Sequence, residues 1–122
     1  MIGTWMTGPM KLPGAERAVV DRSKVADYLV SESHPVGRFK SAFFRTLGYS
    51  AAEWEVLAAD LQFHAAENEA LATVANPYGQ KYEVRGSLSG PTGRIVALVA
   101  VWIVLHGEDF PRFVTAFPGP RQ

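Results

Sequence analysis

Apolar residues recur at helical spacing through the first half of the chain and at strand spacing through the second. Val25, Tyr28 and Leu29 form one stripe behind Asp21 or Ser23, either of which can accept hydrogen bonds from the first free amides of a helix. His34-Pro35 ends that helix, because proline biases the residue before it away from helical geometry. A second helix is predicted from about Val36 to Leu47, where Phe39, Phe43 and Leu47 recur every four residues and Phe44 widens the stripe. Gly48 suits the left-handed position that closes it. Ser50-Ala51-Ala52-Glu53 is a capping box. It opens a third helix with Trp54, Leu57, Leu61 and Ala65, which fades before Asn76-Pro77.

Tyr82, Val84 and Leu88 alternate with Glu83, Arg85 and Ser87, the pattern of a half-buried strand. Gly90-Pro91-Thr92-Gly93 supplies a tight turn. Arg94 to Leu105 is apolar on both faces and reads as a central strand covered on both sides. After a turn at His106-Gly107-Glu108-Asp109, Arg112 to Phe117 reads as a further strand, and Pro118-Gly119-Pro120 cannot continue the ladder. The pattern predicts an α+β fold: three N-terminal helices packed on one face of an antiparallel β-meander of three or four strands. A single domain is expected over residues 10–117, with flexible termini at 1–9 and 118–122.

Composition narrows the function classes. The chain has 122 residues, 48% of them hydrophobic and 20% charged, which argues against intrinsic disorder. With no cysteine, disulfide frameworks, thiolate nucleophiles and cysteine-based zinc sites are excluded. The three histidines are scattered, so neither a metal nor a cofactor is expected. Met1 to Met10 lacks the charged start and apolar run of a signal peptide, and the longest apolar run, Ile95 to Leu105, is about half a membrane span. A soluble, cytoplasmic protein is expected. Twelve basic residues balance twelve acidic ones, which excludes a uniformly basic nucleic-acid coat. The charge is nevertheless zoned: residues 51–70 carry five carboxylates and no cation, while both flanking segments are mildly basic.

No phosphate loop, dinucleotide fingerprint, zinc-protease helix or serine nucleophile elbow is present. The most informative segment is Ser33-His34-Pro35-Val36-Gly37-Arg38-Phe39-Lys40, where a loop runs into the second helix. Free amides at a helix start attract anions. Arg38 and Lys40 add cations there against the helix dipole, a local cost that hints at an anionic ligand. His34, with an ordinary pKa of about 6.5, can give or take a proton near neutrality; the bland reading makes it a satisfied loop residue and the two cations ordinary surface charges. Arg112 would complete a phosphate clamp or be an exposed edge-strand charge. Thr115 stands three residues further on, so on a regular strand it faces the other way; a bulge could bring the two together, but nothing in the sequence demands one. Tyr78 and Tyr82, four apart and so on the same side of a strand, could stack bases, hydrogen-bond a phosphate or belong to the core. His64 falls on the apolar stripe of the third helix and reads as a core histidine, and Trp102 as core.

Lys11-Leu12-Pro13 with Ala15-Glu16, His34-Pro35 with Gly37 and Lys40, Tyr78-Gly79-Gln80 with Tyr82, and Trp102-Ile103-Val104 with Gly107-Glu108-Asp109 and Pro111-Arg112 together resemble one uncharacterised bacterial family. Its members are small stand-alone proteins and C-terminal domains of large polymorphic toxins. The likeness covers about residues 10 to 117 and departs from the family at Gly14, where such relatives carry Asn, and at Ala116-Phe117-Pro118. The order of helices then antiparallel sheet is similar to the ribonuclease toxin superfamily that includes barnase, EndoU, colicin and RelE, an analogy of fold.

That analogy implies metal-independent RNA cleavage by attack of the 2′-hydroxyl on the adjacent phosphate. His34 would be base or acid, with Lys40, Arg38 and Arg112 stabilising charge and Lys11 or Thr115 assisting. The expected site is therefore His34, Lys40, Arg112 and Thr115 for catalysis, with Lys11, Arg38, Tyr78 and Tyr82 binding substrate. The expected partners are RNA and a cognate antitoxin or immunity protein. The alternatives are a non-enzymatic interaction module, such as the neutralising member of such a pair using the acidic third helix, and a small-ligand or phosphate-binding domain.

Overall fold

The computed structural model describes residues 10–29 and 38–119, with side chains outside 28–40. A short 3-10 turn, Ala15–Arg17, precedes α1, which winds as an α-turn over Arg22–Lys24 and as a wider π-turn over Val25–Leu29. Then come α2 (Arg38–Thr46) and α3 (Trp54–Glu67). The strands are β1 (Ala70–Asn76), β2 (Gly79–Ser89), β3 (Ile95–Leu105) and β4 (Pro111–Pro118). They pair in the order β1-β2-β3-β4, all antiparallel, which makes the expected meander with four strands.

Local chemistry accounts for the helix ends. Gly48 takes φ +103°, and the amides of Gly48 and Tyr49 return to the carbonyls of Arg45 and Phe44, closing α2. The hydroxyl of Ser50 accepts the Glu53 amide at 3.3 Å, half of the capping box, although regular α3 begins only at Trp54. α3 stops at Glu67, short of the Asn76-Pro77 expected from the sequence. The segment beyond it is the edge strand β1 instead, whose Leu71 and Val74 stay exposed. Its apolar residues alternate poorly because neither face of this edge is fully covered, so they mimic the tail of a helix.

One core holds the layers together. Val84 and Leu88 of β2, Leu98, Ala100 and Trp102 of β3, and Phe113 and Ala116 of β4 meet Phe44, Leu47, Leu57, Leu61 and Ala65 of the helices. The Trp102 and Phe113 rings pack edge to face with centroids 5.4 Å apart. On its second face β3 is buried only at Val99; Val101 and Ile103 are half-buried and Ile95 and Ala97 exposed, so the cover expected on both sides is found on the helix side alone.

Residues 10–20 cross the helix side of the sheet as a strap and tie both of its edges. At β1, the Ala70 amide donates to the Met10 carbonyl. At β4, Val19 runs parallel to Arg112, its amide donating to Pro111 and its carbonyl accepting from Phe113. The sheet between these edges is about 15 Å wide, three strand spacings, which ten residues easily span. Leu12 and Ala18 of the strap are buried, and Gln62 of α3 donates to the Ala18 carbonyl at 2.8 Å. The paired edges leave fewer backbone groups open to a foreign strand. Among the described residues, no helix is long and apolar enough to cross a membrane.

Candidate functional site

Strand register decides which charged residues share a surface. In β2 the even positions 82, 84 and 88 face the helices, so Lys81, Glu83 and Arg85 face the opposite side, here called the outer face. β3 contributes Val99, Val101 and Ile103 to that face. β4 would carry Arg112 and Thr115 on opposite sides if it were regular. It is not: Trp102 pairs with Phe113 and Val101 with Thr115, which leaves Val114 as an extra residue in a bulge. Arg112 therefore stands opposite Ile103, Thr115 opposite Val101, and both belong to the outer face. In the same rows lie Lys81, opposite Ile103, and Glu83, opposite Val101. Lys81 and Arg112 are thus two strand spacings apart, about 10 Å.

Arg112 is not a bare cation. Its Nε and Nη2 donate to the two carboxylate oxygens of Glu108, each at 2.9 Å, and its guanidinium lies 5.1 Å from the centre of the Phe110 ring. The hydrogen bond from Arg112 holds the Glu108 carboxyl below its usual range, and Glu108, reinforced by the charge of Asp21, holds the guanidinium firmly protonated. Two of the five guanidinium donors serve Glu108, which leaves three that Glu108 does not use. An anion arriving at Arg112 either uses those three or displaces Glu108.

The remaining sequence-predicted residues scatter. Lys11 lies beyond the β1 edge, its Nζ donating to the Ala66 carbonyl at 3.2 Å, across the sheet from Arg112. Tyr82 faces the helices and packs half-buried against the core, opposite Trp102. Tyr78 is not on β2 at all: it sits in the β1–β2 turn, 73% exposed, because Asn76 Oδ1 captures the amides of Tyr78 and Gly79 and bends the chain there. The two tyrosines form no common platform. Arg38 and Lys40 occupy the first turn of α2 as expected, but their side chains, and the whole of His34, lie outside the described residues. His64 is buried, with its Nε2 3.2 Å from the Gly86 carbonyl, and burial lowers its pKa against the weaker pull of the Gly86 and Leu98 carbonyls.

Two neighbours of Arg112 escape a reading of residues one at a time. Glu108 holds Arg112 at i,i+4 spacing, a signal visible in Gly107-Glu108-Asp109 ahead of Pro111-Arg112. Lys81 joins the face only through the register of β2 against β3, which no local pattern prints.

A helix-backed meander with a charged outer face defines the class. Residues 11–120 match DUF6883, a domain of unknown function, and the chain belongs to that family. Its fold is similar to a chain of a contact-dependent growth inhibition toxin–immunity protein complex from Klebsiella pneumoniae 342, with a TM-score of 0.66 and 22% identity over 88% of this chain and 97% of that one. No curated protein matches the chain.

Proposed function

We propose that the protein is the toxin member of a toxin–immunity pair and cleaves RNA without a metal, acting in the cytoplasm. The observation that carries this reading is the β4 bulge, which brings Arg112 and Thr115 to one face beside Lys81. The likeness of fold to a chain of a toxin–immunity complex supports the class. In the reaction the 2′-oxygen forms a bond to phosphorus while the bond from phosphorus to the 5′-oxygen breaks. A base takes the 2′-hydroxyl proton and an acid returns one to the 5′-oxygen. His34 supplies one of those proton transfers. Arg112, with Arg38 and Lys40, offsets the charge that grows on the phosphoryl oxygens, and Thr115 donates a hydrogen bond to them. Exposed Tyr78 stacks a base. This reading uses neither Lys11, whose Nζ donates to the Ala66 carbonyl, nor Tyr82, which packs against the core.

The neutralising role is the second reading, favoured by the acidic surface of α3. Induced expression separates the two. A toxin arrests growth and leaves RNA ends with cyclic phosphates, and it loses both effects on Arg112→Ala. Harmless expression, with tRNA and mRNA left intact by concentrated pure protein, overturns the nuclease and leaves the neutralising role.

A further inference from the structure

A second surface, away from Arg112, has its own chemistry. α3 carries Val56, Asp60, Phe63 and Glu67 at spacings of three and four, one continuous stripe along the helix. Phe63 is 66% exposed, and Ile95, at the start of β3, is 67% exposed. Between them a cleft of about 490 Å³ is lined by Asp60, Phe63, His64, Glu67, Asn68 and Ser87, among others. Such a volume suits one long side chain and part of its neighbour.

The polar groups of this cleft are matched to a donor. Asp60 and Glu67 bring carboxylates, Asp60 through its Oδ1 because its Oδ2 accepts from the Tyr49 hydroxyl at 2.6 Å, and no cation occurs anywhere in residues 51–70. His64 is almost wholly buried, and while its Nε2 is satisfied by the Gly86 carbonyl, its Nδ1 has no hydrogen-bond partner. With the proton on Nε2, Nδ1 is an acceptor only. An unpaired acceptor inside a protein costs free energy that a bound donor would recover. Burial keeps this ring neutral, which preserves the lone pair. Nδ1 is closed to solvent although His64 lines the cleft, so a guest N–H reaches it only as the lining side chains give way.

We propose that this cleft docks an arginine or lysine side chain presented by a protein partner, held by Asp60 and Glu67 with its N–H donating to His64 Nδ1. The occupant is a protein rather than a free amine because apolar surface continues past the cleft at Val56, Phe63 and Ile95, more than a small cation covers. The inference does not rest on the ribonuclease reading and holds for either member of a pair.

The test follows the His64 ring nitrogens by NMR in the full chain, titrated with three probes: the peptide Ac-Arg-Leu-Arg-NH2, its citrulline counterpart, and an oligoadenylate RNA. The arginine peptide is expected to move the Nδ1 resonance saturably. Citrulline should bind about tenfold or more weakly, as should the arginine peptide on the exposed variant Glu67→Gln. Failure of the arginine peptide to move Nδ1 at millimolar concentration overturns the proposal. So does an equal response to citrulline, or an Nδ1 shift produced by the RNA instead.

Discussion

Arg112 and Thr115 stand three residues apart in β4 and yet occupy the same face of the sheet, because Val114 is extruded between their pairing partners Ile103 and Val101. The bulge puts two polar side chains of one strand on the same face. For the proposed cleavage, Arg112→Ala should lower the rate by about 10²–10³, the usual cost of losing one donor to a developing oxyanion. Arg112→Lys should restore only part of it, since an ammonium keeps the charge and loses the fork. Single-turnover cleavage of a defined RNA measures both, and equal activity in all three proteins removes Arg112 from the mechanism.

In the proposed reaction Glu108 and a phosphate would compete for the same guanidinium. Replacing Glu108 by Gln removes the competing charge while keeping a hydrogen-bond acceptor beside Arg112. RNA affinity should rise severalfold at low salt, and the gain should shrink as salt screens it. A fall in affinity would mean that the carboxylate positions Arg112 and does not compete for it. Fluorescence anisotropy with a labelled oligonucleotide at two salt concentrations distinguishes these outcomes.

The legible parts of this molecule are those set by local periodicity. Phe43, Leu47, Leu57 and Leu61 announce their helices, and the eleven apolar residues of β3 announce a central strand, although its second face is buried only at Val99. β1 was hidden because an edge strand with exposed Leu71 and Val74 has no buried face to impose alternation. The site was half legible for a related reason. Residue types marked Arg112, but the face it shares with Thr115 and Lys81 is fixed by a bulge and by register, and both are consequences of cross-strand packing. The strap was invisible for the same cause: Met10 and Val19 find the sheet edges by backbone hydrogen bonds that any residue can make.

Gly14 is where the strap meets the β3–β4 turn. Its φ is +70°, and a Cβ there would lie 2.4 Å from the Asp109 carbonyl oxygen. That turn is the one Arg17 grips through the Asp109 carboxylate at 2.7 Å and its carbonyl at 3.0 Å. Gly14→Ala must both adopt the left-handed conformation and push the turn away. It should destabilise by about 2 kcal/mol or more, lowering Tm by about 5 °C or more in a chain of this size. Gly14→Asn should cost less than Ala, because Asn tolerates the left-handed region, but it should still not reach the stability of the native chain. Thermal unfolding followed by circular dichroism ranks the three.

His64 gives stability a pH dependence whose sign is fixed by its burial. Its folded pKa lies below the ordinary 6.5, mainly because burial penalises the imidazolium. Between the folded value and 6.5 the unfolded chain therefore binds more protons than the native one, and stability falls as the solution is acidified through that window. The slope contributed by this single group approaches about 1.4 kcal/mol per pH unit at most, and it vanishes above neutrality, where neither state is protonated. Glu108 acts separately and lower down: its depressed carboxyl withdraws stability only below its ordinary 4.5. His64→Leu should lower stability at pH 7.5, where the hydrogen bond to Gly86 is lost, yet flatten the curve on the acid side of pH 6.5. Urea unfolding of both proteins across that range tests the assignment through the difference in slopes, which the absolute stabilities do not affect. Parallel slopes would show that another group carries the titration.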